Sequence, residues 1–304
     1  KLKGKVAPFS PGSYSTYSLS QATGATLLSS KQYYRLPSTN SELLPNISMY
    51  FGLITQSLYE AVQKRVLNSD RPVCCLLSGG LDSSTVAAFA CKVKGDPSLV
   101  RTYSIGLSGS VDLANARVVA DHLGTTHEEL IVSEEEFLDA IPEVIAKIGS
   151  YDTTTVRASV GNYLIGKYIA QKGDIVVLNG DGADEVMGGY LYMRKAPTAQ
   201  AFDKECRRLI TDIHYFDVLR SDRCISSHGL EPRTPFLDKT FVQTYLSIPA
   251  ALRFKTTVVQ QEKYLLRAAL SVVCPDLLPA SVITRKKKHL VMAYLQKKRH
   301  GLRS

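Results

Sequence analysis

Apolar residues along the chain follow two spacings, which predict strands and helices in alternation. Compact apolar runs are typical of buried strands, whereas apolar residues that recur every three or four positions are typical of helices. The strand-like runs lie at 73–77, 100–105, 128–132 and 175–178, and the helical segments lie at 44–67, 84–94, 112–123 and 156–169. This order predicts an α/β fold with a doubly wound, mainly parallel sheet flanked by helices.

Both ends of the chain depart from this alternation. Residues 1–45 are rich in Ser, Thr, Pro, Gly and Tyr, which predicts strands and loops rather than a compact domain. From Pro197 onward the pattern becomes mostly helical, with segments at 198–219, 238–247 and 258–273. In the central region Ser133 precedes three glutamates, a capping box that predicts a helix beginning directly after it.

The net charge of +9 is concentrated at the C-terminal end. From Arg285 onward the chain has eight cationic residues and no acidic ones, and elsewhere 29 basic residues nearly balance 28 acidic ones. We therefore expect nucleic acid to bind only weakly, through this basic tail.

Cysteine spacing and hydropathy exclude several classes of protein. The six cysteines contain no C-x-x-C pair, which argues against a zinc site or a disulfide framework and favours idle thiols in a reducing cytosol. The longest apolar run is far too short to span a membrane, and the opening residues do not predict a secretory signal. We expect a cytoplasmic protein that does not contact a membrane.

A glycine turn follows the first strand-like run. The residues at 78–84 read Ser-Gly-Gly-Leu-Asp-Ser-Ser and lead into a helix. Glycines allow the backbone to approach a ligand closely, and a helix N-terminus presents N–H groups and a positive dipole end, so a phosphate is the natural occupant. The alternative is an ordinary strand-to-helix turn with a helix cap.

Three further stretches carry candidate chemistry. An acidic turn, Asn-Gly-Asp-Gly-Ala-Asp-Glu at 179–185, follows the run at 175–178 and suits a magnesium nucleotide, although a solvated turn would look the same. Lys263 lies in the segment at 258–273, where an exposed helix lysine is the ordinary interpretation. The charged stretch at 219–238 is best explained as a loop network between the helical part and the sheet.

Five strings together resemble one known family. They lie at 76–84, 151–159, 182–185, 189–192 and 228–238. Residues 50–288 resemble the synthetase domain of glutamine-dependent asparagine synthetases, and 78–84 resembles the pyrophosphate-binding loop of the ATP pyrophosphatase (PP-loop) enzymes. The resemblance implies an adenine nucleotide alpha hydrolase-like fold and cleavage of ATP between the α- and β-phosphates.

The resemblance also implies site residues and a reaction. The β-carboxylate of aspartate would attack the α-phosphorus of ATP, and ammonia would then displace AMP from β-aspartyl-AMP to give asparagine. Asp82 and Asp184 would hold Mg²⁺, Lys263 would face the phosphates, and Asp181 would help to hold ATP and substrate. The expected nucleotide-binding residues are Leu76, Ser78, Gly79, Gly80, Asp82, Ser83, Ser84, Ile105, Asn179 and Gly180.

The same resemblance suggests how the chain is divided into domains and which partners it binds. We expect 1–45 to be the remnant or linker of a preceding glutaminase domain, 46–288 the synthetase domain, and 289–304 a basic tail. A glutaminase domain or subunit would be the source of ammonia when glutamine is the donor. A homodimer is a candidate assembly.

Departures from the family pattern leave alternatives open. The family usually has Glu where this chain has Asp181 and Ser where it has Asn179, and it carries a glutaminase domain with a terminal cysteine. We expect the shorter Asp181 to slow turnover, so that Asp181→Glu would raise kcat. The alternatives are an adenylating relative that acts on another carboxylate and a nucleotide-binding homologue without activity.

Overall fold

The computed structural model describes residues 8–22, 24–38, 46–215, 217–254 and 261–285. The chain divides into two compact units, Lys1–Ser38 and Thr39–Ser304. In the first unit, β1 (Ser13–Ser20) pairs antiparallel with β2 (Gly24–Gln32), as the strand-forming composition predicts. The basic tail at 289–304 lies outside the described residues.

The second unit is built on a five-stranded parallel sheet. Its strands are β3 (Val73–Leu76), β4 (Arg101–Leu107), β5 (Thr126–Val132), β6 (Val176–Leu178) and β7 (Glu231–Arg233), in the order β5-β4-β3-β6-β7. The chain builds outward from β3 to β5 and then returns to place β6 on the other side of β3. Order therefore reverses between β3 and β6, and a parallel sheet binds its ligands in the crevice at such a point. The predicted α/β fold is confirmed.

Helices connect and cover these strands. They are α1 (Ile47–Leu67), α2 (Leu81–Lys94), α3 (Val111–Leu123), α4 (Glu134–Asp139), α5 (Ile141–Ile148), α6 (Thr153–Gln171), α7 (Ala183–Met187), α8 (Ala199–Thr211), α9 (Asp217–Ser226), α10 (Lys239–Ser247), α11 (Ala250–Arg253), α12 (Tyr264–Val273) and α13 (Ala280–Thr284). Side chains cap the free N–H groups at several helix starts: Asn46 caps α1, and Ser133 forms the predicted capping box with Glu136 at α4.

Two cores fix the sheet between its helices. One joins β3, β4 and β6 to α6 and α9 through the buried side chains of Cys74, Tyr103, Ile165, Ile169, Val177 and Ile225. The other lies among α5, α6 and α9. The apolar face predicted for α1 is buried along most of its length, including Ile54, Leu58 and Val62.

Several predicted boundaries are wrong for local reasons. The segment at 198–219 is two helices, because α8 ends at Thr211 and a 3-10 turn at Ile213–Tyr215 precedes α9. Asp212 leaves the helical conformation there, as short acidic residues often do. Strand β7 lay within the predicted loop network and was missed, because Pro232 interrupts a strand pattern except at a sheet edge, where β7 lies.

The structure also describes the cysteines and the apolar content of the helices. All six cysteines, each within the described ranges, are free thiols, and five are buried. In the described part of the chain no helix is both long and apolar enough to cross a membrane.

Candidate active site

The glycine turn after β3 forms a closed loop at the sheet edge. Ser83 Oγ accepts a hydrogen bond from the Ser78 amide at 3.1 Å and lies 3.0 Å from Ser78 Oγ, so the loop is tied by its own hydroxyls. Gly79 has φ 67°, and a Cβ there would lie 2.6 Å from the Ala116 nitrogen of α3, so no other residue fits. Helix α2 begins at Leu81, three residues earlier than predicted, and no side chain caps its first N–H groups. They remain available for a phosphate.

The acidic turn after β6 packs directly against this loop. A Cβ on Gly180 would lie 2.9 Å from both Asp82 Cβ and the Ser83 nitrogen, so only glycine allows the two backbones to approach this closely. Gly182 adopts φ 88° and leads into α7. The structure thus brings together the carboxyl ends of β3 and β6, where the reversal of strand order places a ligand crevice.

Lys263 joins the two motifs. Its ammonium contacts Asp82 Oδ2 and lies 2.6 Å from Asp184 Oδ1. The Lys263 side chain is 3% exposed, against 24% for Asp82 and 18% for Asp184. Burial alone would lower the pKa of Lys263, but the two carboxylates outweigh it and raise that pKa above its ordinary value. The ammonium is therefore charged at any working pH.

The expectation that Lys263 lies on a helix is wrong, and so is the solvated-lysine interpretation. Residues 261–263 are not helical, Lys263 precedes α12 with φ 55°, and 258–260 lie outside the described residues. Among the residues that the structure describes, Lys263 is the one non-glycine with positive φ. Such backbone strain persists where the surroundings impose it, often at functional sites. Gly189 completes the enclosure, because a Cβ there would overlap Asp184 Oδ1 and Lys263 Cε.

Asp181 is held through Asn179, which the sequence singles out, and through Ser221, which it does not. Asn179 Nδ2 donates to Asp181 Oδ2 at 3.0 Å and to Ser221 Oγ at 2.6 Å. Burial raises the pKa of Asp181 above its ordinary value, opposed by the Ser221 hydrogen bond and the Arg220 charge. Ser221 belongs to the stretch interpreted as a loop network, and nothing in its local sequence indicates that α9 would bring it to this turn.

The other predicted residues lie at the same end of the sheet or behind it. Leu76 and Ile105 are half-buried and pack against the core between the sheet and α6. Ser84 is fully buried, backbone included, and its backbone N–H donates to the Gly80 carbonyl at 3.1 Å. Arg285, which was not predicted, donates a hydrogen bond to the Gly79 carbonyl and braces the loop from outside.

The carboxylate oxygens of Asp82 and Asp184 are suited to bind Mg²⁺ that accompanies a nucleotide. Within the described ranges, no group of three or more His, Cys, Asp and Glu side chains forms a metal site. Asp82 and Asp184 nevertheless offer hard oxygen ligands that already share one cation, the Lys263 ammonium. Magnesium that accompanies a nucleotide typically takes one or two carboxylates, with phosphate oxygens and waters as its other ligands. Asp82 and Asp184 therefore fit a magnesium ion bound together with a nucleotide.

A parallel sheet with a glycine loop and an acidic turn at its point of strand reversal is typical of α/β proteins that bind a nucleotide at the carboxyl ends of their strands. The protein-family model described as "Asparagine synthase" matches residues 53–204 and 194–304. The chain belongs to the asparagine synthase family.

Curated relatives agree with this assignment. The chain is 39% identical over 297 residues to "Asparagine synthetase [glutamine-hydrolyzing]" of Gallus gallus, covering 93% of this chain and 52% of the relative. The protein of the same name from Homo sapiens gives the same identity and coverage. The Bos taurus protein is 43% identical over 235 residues, 76% of this chain and 41% of its own length. The chain thus spans about half the length of these relatives.

The structure also resembles a glutamine-dependent NAD+ synthetase from Acinetobacter baumannii in complex with ADP. The TM-score is 0.46 and the identity 16%, over 91% of this chain and 41% of that chain. At that level the likeness supports no conclusion about function.

Proposed function

We propose that this chain catalyses the ATP-dependent conversion of aspartate to asparagine, with β-aspartyl-AMP as the intermediate. The observation that carries the proposal is the convergence of Lys263, Asp82 and Asp184 on the phosphate loop at the point of strand reversal. Family membership and the printed names of the relatives support the choice of substrate.

The first step forms a bond between a β-carboxylate oxygen of aspartate and the α-phosphorus of ATP. The bond from that phosphorus to the bridging oxygen breaks, and pyrophosphate leaves with the electron pair. Carboxylate is a weak nucleophile and pyrophosphate a highly charged leaving group, so positioning and cationic stabilisation dominate the catalysis. The N–H groups of the loop and of the α2 N-terminus bind the phosphates, and Lys263 supplies a buried positive charge.

Asp82 and Asp184 would hold Mg²⁺, which when bound neutralises charge on the phosphate oxygens. Leu76, Ile105, Asn179 and Gly180 would line the adenosine pocket. Their places at or near the carboxyl ends of β3, β4 and β6 support that assignment.

The second step replaces AMP by nitrogen. Ammonia attacks the acyl carbon, the bond from that carbon to the AMP oxygen breaks, and the nitrogen loses a proton to give the amide. Asp181 would hold ATP and substrate by accepting hydrogen bonds. Water must be kept away, because it would hydrolyse the activated acyl group.

The amine donor and the assembly are further parts of the proposal. The relatives are named as glutamine-hydrolysing, which supports a glutaminase domain or subunit as a source of ammonia. Ammonium alone should support synthesis by the purified chain. We propose a cytoplasmic enzyme, with a homodimer as its candidate assembly.

Product analysis tests the proposal. The purified chain is incubated with ATP, MgCl₂, aspartate and ammonium, and the products are separated by chromatography. We expect asparagine, AMP and pyrophosphate in equal amounts, and none of them when aspartate is omitted. An amide product from another carboxylate alone would indicate an adenylating relative, and ATP binding without turnover would indicate an inactive homologue.

A further inference from the structure

We infer that Asn179 and Ser221 are positioning residues that hold the Asp181 carboxylate in its working orientation, and that Asn179 and Asp181 are fitted to each other. The inference rests on the proposed function, because it assigns these residues to the same reaction. The side chains of Asn179, Asp181 and Ser221 together form what we call the positioning triangle.

The side-chain amide of Asn179 uses both its donors and its acceptor in hydrogen bonds to Asp181 and Ser221. Its two N–H donors are both used, one on Asp181 Oδ2 at 3.0 Å and one on Ser221 Oγ at 2.6 Å. Its carbonyl oxygen accepts a hydrogen bond from the Asp181 backbone N–H at 3.2 Å. The side chain is thus clamped to both the backbone and the carboxylate of Asp181. With 3% of the residue exposed, water cannot readily replace these partners.

Rigid elements support both ends of the positioning triangle. The Asn179 backbone N–H donates to the Arg233 carbonyl at 3.1 Å, which anchors it to the sheet beside β7. Ser221 is 1% exposed and lies on α9, whose Cys224 and Ile225 are fully buried in the cores. The Ser221 hydroxyl is linked to the Asp181 carboxylate through the Asn179 amide, which donates to both. A carboxylate held from a sheet and from a packed helix has little freedom to turn.

The hydrogen bonds from Asn179 fit the length of an aspartate at position 181. A glutamate at 181 would move its carboxylate outward by about 1 Å, and a shift of that size can cost on the order of 10²-fold in rate. The turn cannot retreat toward the loop to compensate, because Gly180 already packs against Asp82 and Ser83. The two departures from the family pattern, Asn179 and Asp181, therefore belong together: one side chain is longer and the other is shorter. This reasoning reverses the sequence-based hypothesis that Asp181→Glu would raise kcat.

A double-mutant cycle tests the inference. The variants are Asp181→Glu, Asn179→Ser, the double variant and Ser221→Ala. The control is Asp222→Glu, which makes the same chemical change at an exposed residue directly after Ser221. Each is assayed for kcat and KM in asparagine formation and for its unfolding midpoint.

We expect Asp181→Glu and Asn179→Ser each to lower kcat by about ten- to hundredfold, with KM for ATP changed less. The double variant should recover most of that loss, and Ser221→Ala should lower kcat several-fold. Asp222→Glu should match the wild type.

Other outcomes would overturn the inference. Losses that simply multiply in the double variant would show that the two residues are not fitted to each other. Lower unfolding midpoints with unchanged kcat would show a purely structural tie. If the wild type forms asparagine and the variants give either of these results, only the inference is refuted. If the wild type forms no asparagine, both the proposed function and the inference are refuted.

Discussion

Replacement of Lys263 by methionine should turn the acidic pair into a better metal site. The carboxylates that would hold Mg²⁺ are the two that the Lys263 ammonium contacts, so ammonium and metal compete for Asp82 and Asp184. Methionine has similar length and no charge. Lys263→Met should therefore leave two carboxylates close together without their cation.

The size of the effect follows from the charges. Two unit charges 4 Å apart interact by about 4 kcal/mol at an effective dielectric constant of 20. Removing one partner of a buried ion pair costs about 3–5 kcal/mol. Because Asp82 and Asp184 remain 24% and 18% exposed, solvent screens part of this energy. We expect the lower end, about 3 kcal/mol of lost stability and a midpoint lowered by about 6–12 °C.

Loss of the Lys263 ammonium, which competes for these carboxylates, should also make metal binding tighter. Relief of about 2–3 kcal/mol of competition corresponds to binding that is about 30- to 150-fold tighter. The assay measures free Mn²⁺ by electron paramagnetic resonance in a titration without nucleotide. It is paired with unfolding midpoints with and without MgCl₂.

The control is Lys172→Met, which removes an equivalent but solvent-accessible pair with Glu128. It should leave Mn²⁺ affinity unchanged. Equal or weaker Mn²⁺ binding by Lys263→Met would refute the view that lysine and metal share these carboxylates.

Three further predictions follow from neighbouring contacts. Gly189→Ala should lower kcat at least tenfold because its methyl would overlap Asp184 and Lys263, whereas Gly161→Ala, which faces open space, should not; equal kcat values would contradict this. Arg285→Ala should raise KM for ATP several-fold, measured by initial rates, because the Gly79 carbonyl loses its donor; an unchanged KM would remove Arg285 from the site. Burial lowers the pKa of His127, so its contribution to stability is full above about pH 6.5 and is lost as pH falls through the folded-state pKa. His127→Gln should therefore weaken the dependence of the thermal unfolding midpoint on pH between pH 7 and 5. An unchanged pH dependence of that midpoint would refute this.

Local sequence signals predicted the parts of the fold that depend on neighbouring residues. The helical spacing of α1, the Ser133 capping box and the glycine turn after β3 each act within a few positions. Lys263 was found only through resemblance, because its burial depends on two carboxylates that lie far away in the chain, Asp82 and Asp184. Its left-handed backbone also breaks the helix that its segment predicts.

Ser221 shows more clearly what the local sequence cannot predict. A serine in a charged stretch is ordinary, and its hydrogen bond to Asn179 exists only because α9 packs on the sheet 42 positions later. Strand β7 is hidden for a similar reason, since its three residues include a proline and pair with β6, which lies more than 50 positions earlier in the chain. Tertiary packing decides these features.

The measurement that tests the central claim most directly follows the oxygen atoms of aspartate. Aspartate labelled with oxygen-18 at both β-carboxylate oxygens is converted with ATP and ammonium, and the products are analysed by mass spectrometry. Attack of the carboxylate on the α-phosphorus predicts AMP with one labelled oxygen and asparagine that keeps the other. Unlabelled AMP, or the label in orthophosphate together with ADP, would contradict the account.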